Sequence, residues 1–96
     1  LVAGAKVLRI ETAPGGKSVS AVVYETPEGE KRVKSDIVVL AAGAINSAAV
    51  LLRSANGDHP DGLANGSDQV GRNYMFHTAS ASLSFAWPKI DTDFPK

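Results

Sequence analysis

Few side chains in this sequence are equipped for chemistry, and they are scattered. His77 closes the run Val70-Gly71-Arg72-Asn73-Tyr74-Met75-Phe76-His77. An imidazole titrates near neutrality and suits acid–base work. No Asp or Glu lies close in sequence to orient it, which favours a structural hydrogen-bonding role. His59 stands in Asp58-His59-Pro60-Asp61. One imidazole and two carboxylates in a turn-rich loop make a weak metal site, and a solvated loop explains them better. Arg72 carries the planar fork that pairs with a carboxylate or a phosphate, and the sequence leaves both open. The remaining candidate is backbone rather than side chain. Ala41-Ala42-Gly43-Ala44 places four residues with almost no side chain directly after the apolar run Ile37-Val38-Val39-Leu40. Small residues at the end of a parallel strand let a ligand approach the main chain closely. Tight packing of a strand on a helix would select the same residues.

The elements that must position these groups follow from periodicity. Ala5–Ile10 alternates weakly and reads as a strand. Pro14-Gly15-Gly16 is a turn signal. Val19–Glu25 is the next strand, with Val19, Ala21 and Val23 on one face and Val22 and Tyr24 on the other. Thr26-Pro27-Glu28-Gly29-Glu30 is a hairpin turn, and Lys31–Lys34 a short polar return strand. Such close spacing predicts an antiparallel three-stranded meander over residues 1–35. In 36–56, Ile37–Leu40 reads as one buried parallel strand, because its apolar residues are continuous rather than alternating. A helix is expected over about 45–54, with Ile45, Ala48, Ala49 and Leu52 forming its buried face and Asn56-Gly57 closing it. Asn46 and Ser47 are expected to cap or bond the backbone there. In 57–96, a loop dense in Asp, Asn, Gly, Ser and Pro leads into the Val70–His77 cluster. Then comes Ala79–Trp87, whose alternation predicts a half-buried strand. Met75, Phe76, Phe85 and Trp87 are expected to form a packing face rather than a substrate channel, one prone to self-association if left bare.

Composition narrows the classes. Of 96 residues, 44% are hydrophobic and 21% charged, which fits one modest domain or part of one. Ten basic residues balance ten acidic ones, so the chain has no electrostatic footprint for nucleic acid or for an anionic membrane surface. Without cysteine it has no disulfide and no thiolate metal site, and the compartment stays undetermined. No apolar stretch approaches the roughly 18 residues of a membrane span. Leu1 is not a Met, and Phe94-Pro95-Lys96 completes no element, from which an excised segment of a longer protein is expected.

Three features in order carry a resemblance. They are the meander ending in Asp36-Ile-Val-Val-Leu-Ala-Ala-Gly43, the stretch Gly43-Ala-Ile-Asn-Ser-Ala-Ala-Val-Leu-Leu-Arg-Ser54, and Val70-Gly-Arg-Asn-Tyr-Met-Phe-His77. Together they resemble the glucose–methanol–choline (GMC) flavoprotein oxidoreductases, more the bacterial dehydrogenases than the fungal oxidases, over essentially all 96 residues. The family's second signature has Ser-Pro, two apolar residues and Ser-Gly after the small-residue turn. Ser47, Val50-Leu51 and Ser54 match it, while Ala48 and Ala55 stand where Pro and Gly are usual. The resemblance implies an α/β fold: a fragment of an FAD/NAD(P)-binding domain, leading at its end toward a substrate domain. It implies that the parent enzyme oxidises CH–OH groups of an alcohol, sugar or choline-like substrate by hydride transfer to FAD. It carries a main-chain contact with the adenine to Val7, and proximity to the ribityl–diphosphate region to Ala42 and Gly43. The family's Gly-x-Gly-x-x-Gly turn and its catalytic histidine have no match here, so the segment is expected to contribute to FAD binding, to supply no catalytic residue and to be inactive alone. Its partners are then the rest of the parent enzyme and a small-molecule substrate. Two alternatives remain from the residues: another two-dinucleotide-domain flavoprotein, or a cofactor-free α/β binding or assembly module.

Overall fold

The computed structural model describes residues 1–83, 85 and 87. Three strands form one antiparallel sheet in the order β1-β2-β3: β1 (Lys6–Thr12), β2 (Val19–Thr26) and β3 (Gly29–Val33). The meander expected over 1–35 is present. Its first turn closes through Ala13 N–H to Ser18 O (2.9 Å) and Gly16 N–H to Ala13 O (2.9 Å). Gly15 and Gly16 supply the positive φ angles of +86° and +68° that this turn needs. The second turn is the tight Thr26–Gly29 hairpin, with Thr26 Oγ1 donating to Gly29 O.

Register sorts the side chains into two faces. Val7 pairs with Tyr24, Ile10 with Val22, and Val22 with Val33, giving an apolar face. Val7 and Ile10 can share it, although three residues apart, because the register slips between Val7 and Arg9 and makes Leu8 an extra residue. On the other face Arg9 and Arg32 flank Val23, and Glu11 opposes Ala21. There Arg9 donates to Glu30 (3.0 Å) and Glu11 (3.2 Å), and Arg32 donates to Glu11 (3.0 Å). Val23, completely buried, lies in register between the two arginines, whose aliphatic stems suit covering it. Charge thus crosses all three strands on one face, while the other is mainly apolar, with Lys31 opposite Tyr24.

The helix α1 spans Gly43–Arg53 and packs against β1. Its join to the sheet is polar and buried. Ser54, 1% exposed, accepts from Ile10 N–H at 2.8 Å and donates to Val50 O at 2.7 Å. Among the described residues, Ile10, Ala21, Val23 and Val50 form the buried apolar core. Arg53 lies in the last turn, where a cation complements the helix dipole.

Several expectations are corrected here. Residues 37–40 do not form a buried parallel strand: no ladder includes them, and Ile37 and Val39 are 80% and 84% exposed. A parallel strand exists only when neighbours accept its hydrogen bonds, and no described strand lies beside it. The helix begins two residues earlier than expected and is closed by Ser54 rather than Asn56-Gly57. Its expected face is reversed, since Val50 is the buried residue while Ile45 and Leu52 are exposed. For the expected strand 79–87, the described residues 79–83, 85 and 87 are exposed and belong to no strand; residues 84 and 86 lie outside the described residues. The loop after the helix wraps over α1, as Leu63 N–H bonds Leu51 O at 2.9 Å.

Candidate functional site

The head of α1 is built from residues that leave the backbone open. Gly43 has φ +78°, a left-handed conformation that a side chain resists, and a Cβ added there would meet nothing within 4 Å. Ala41 to Ala44 are all exposed. The N-cap residue Ala42 offers no side-chain cap, and the first turn holds no acidic residue. Ser47 bonds the backbone as expected, accepting from Ala42 N–H at 3.2 Å, which ties the turn to the helix. The helix therefore presents uncapped amides beside open space, an arrangement suited to an anionic group.

That space is a cavity of about 340 Å³ lined by Ala42, Gly43, Ala44, Ile45, Asn46, Tyr74 and Met75. A second groove of about 600 Å³ shares Ala44, Ile45, Tyr74 and Met75 with it, and continues along α1 past Ala49 and Leu52, under Gly71, Arg72 and Asn73. Tyr74 and Met75 were not singled out as cofactor neighbours in the sequence. Their position depends on how the loop returns to the helix, which no local pattern encodes.

The loop returns by specific contacts. Gly62, with φ +103°, sits so close to α1 that a Cβ would lie 2.9 Å from Leu52 Cα and 3.0 Å from Leu51 O. The buried Asn65 donates to Asp61 O (2.8 Å) and accepts from Val70 N–H (2.9 Å), fixing where the cluster 70–77 begins. Asn73 carries a positive φ of 54°.

Val7 lies elsewhere. It is on β1, an edge strand of the sheet, and borders a separate cavity of about 240 Å³ with Val2, Ala5, Val22, Tyr24 and Val33. No single described cavity holds Val7 with Ala42 and Gly43. Among the described residues the outer main chain of β1 has no strand partner, although Ile10 N–H is taken by Ser54. A main-chain contact at Val7 is thus sterically available.

His59 and Arg72 make contacts within the fold, and His77 makes no hydrogen bond among the described residues. His77 is exposed. His59 Nε2 lies 2.9 Å from Gly16 O, joining the loop to the first hairpin. Among the described residues, no group of three or more His, Cys, Asp or Glu is placed to hold a metal. Arg72 pairs with a carboxylate: Nε donates to Asp68 Oδ2 at 2.9 Å and to Asp68 O at 2.8 Å. The Asp68 hydrogen bond and charge raise the Arg72 pKa. Among the described residues no helix is long and apolar enough to cross a membrane.

A family model described as GMC oxidoreductase matches residues 1–79. The chain is 35% identical over 77 residues to the fructose dehydrogenase large subunit of Gluconobacter japonicus, covering 80% of this chain and 14% of that one. It is 39% identical over 74 residues to a 2-methyl-1,2-propanediol dehydrogenase of Mycolicibacterium austroafricanum, covering 76% and 13%. It is 39% identical over 70 residues to a 6'''-hydroxyparomomycin C oxidase of Streptomyces lividus, covering 72% and 13%. The chain spans about one seventh of the length of these relatives.

Proposed function

The chain belongs to the GMC oxidoreductase family, and we propose that it is part of the FAD-binding domain of an enzyme that oxidises a CH–OH group of an alcohol, sugar or choline-like substrate. The names of all three relatives denote oxidation of a hydroxyl-bearing compound, which supports that substrate class. FAD, when bound, supplies the redox chemistry by accepting a hydride. The protein's own work in this segment is binding.

The observation that carries the reading is the head of α1. Gly43 is left-handed, exposed and flanked by open space, and the amides after it have no side-chain cap. These residues fit a dinucleotide: its diphosphate is anionic, and main-chain N–H groups at a helix start favour an anion. Ala42 and Gly43 are assigned to that part of the cofactor. Val7, on the exposed edge of β1, is assigned a main-chain contact with the adenine. None of the three acts as acid, base or nucleophile, and the segment is inactive by itself. Family membership replaces the alternative of another two-dinucleotide-domain flavoprotein.

The test is to purify the intact protein that contains this segment, denature it and identify any released chromophore. Released FAD is expected. A folded protein that releases no flavin would refute the proposal and favour the cofactor-free module.

A further inference from the structure

We propose that Tyr74 and Met75 form the side wall of the cofactor cleft beside Gly43, bordering the anionic diphosphate of the bound dinucleotide. This rests on the FAD reading above. One cavity of about 340 Å³ is lined by residues 42–46 on its helix side and by Tyr74 and Met75 alone on the other. Among the described residues, no acidic side chain lines it or the groove that continues from it along α1. The one charged residue in that groove, Arg72, is a cation held by Asp68. The concavity therefore offers no described carboxylate to repel an anion, and the amides at the start of α1 favour one.

The wall belongs to the same packed unit as the floor. Leu63 is bonded to Leu51 O, Asn65 holds Val70 N–H, and a Cβ on Gly71 would lie 3.2 Å from Leu52 Cδ1. The helix that presents Gly43 thus also sets the path by which the chain arrives at Tyr74 and Met75. Tyr74 is steadied by Phe76, whose ring lies 6.1 Å away at 32°. Met75, 85% exposed, contributes little to packing within the chain, so its exposure is available for a ligand.

The experiment compares Met75→Glu with Met75→Lys in the intact protein, titrating FAD into each flavin-free form. Lining a diphosphate, the two variants separate by charge: Met75→Glu binds FAD about tenfold more weakly than Met75→Lys at low ionic strength. The gap closes as salt approaches 1 M. A merely structural role would treat the two charges alike. Equal dissociation constants in folded variants, with the parent protein binding FAD normally, overturn this inference and leave the FAD reading standing. A parent protein that binds no FAD overturns both. Should either variant fail to fold, Tyr74→Glu against Tyr74→Lys gives the same comparison.

Discussion

Replacing Ser54 with alanine should loosen the join between the two halves of the proposed site. The hydroxyl is 1% exposed and takes part in two hydrogen bonds, accepting from Ile10 N–H at 2.8 Å and donating to Val50 O at 2.7 Å. Alanine leaves the Ile10 amide buried without its partner. Val50 O suffers less, because Ser54 N–H also reaches it at 3.1 Å. The main penalty is therefore one unsatisfied buried donor, about 1–3 kcal/mol. It falls on β1 at its contact with α1, so it is expressed locally. The assay is hydrogen exchange in the intact protein, followed on peptides covering residues 6–12. A loss of 1–3 kcal/mol corresponds to a fall in Ile10 protection of roughly five- to 150-fold, each 1.4 kcal/mol being tenfold. The distal hairpin turn, residues 26–29, should be unaffected. Unchanged protection at Ile10 would refute the reasoning, because it would mean the hydroxyl does not secure this amide.

The other predictions concern the glycines and the charged face. Gly62→Ala should be the more damaging glycine substitution, costing roughly 2–4 kcal/mol, because strain at φ +103° adds to a backbone collision with Leu52 and Leu51; thermal melting of the intact protein reads it, and a melt like the parent's would contradict it. Gly43→Ala meets no atom, so its stability cost should be only the left-handed strain of about 1–2 kcal/mol. Its FAD affinity should fall further than that cost accounts for, and an unchanged FAD titration would count against the assignment of Gly43. On the sheet, the hydrogen bond from Arg9 holds the Glu30 carboxyl below its usual range. A carboxyl with a depressed folded pKa stabilises the fold above its unfolded value, near 4.5, and loses that contribution as pH falls through the folded value. Arg9→Gln should therefore flatten the decline of stability below about pH 4.5, measured by denaturant melts across pH; an unaltered acid limb would show that the pair is silent.

How much of this was legible in the sequence depended on the range of the interaction. The meander follows from turn residues and alternation that are local, and its strands lie within two residues of the expected bounds. The bulge at Leu8 was hidden, because Lys6 to Ile10 reads as weak alternation whether or not a residue is extra. The small residues Ala41 to Ala44 allowed either an open turn or tight strand–helix packing, and the structure shows them exposed. The wall formed by Tyr74 and Met75 was not, since it depends on Gly62, Asn65 and Gly71 bringing the loop back over α1 through contacts between distant residues.

The reversed face of α1 has a physical explanation. At 3.6 residues per turn, Ile45, Ala49 and Leu52 lie on one side of the helix, while Val50 and Ser54 lie nearly opposite. The sequence pattern picked the side with the larger apolar residues; β1 takes the other, because Ser54 can satisfy Ile10 N–H there. Both sides carry apolar residues, with the exposed Asn46 and Arg53 between them. The two demands on α1 then separate cleanly. Its Val50 and Ser54 side fixes β1, and with it Val7, while its head at Gly43 stays open. One helix thereby secures the strand that carries Val7 and presents Gly43 at its head, although no single described cavity contains both.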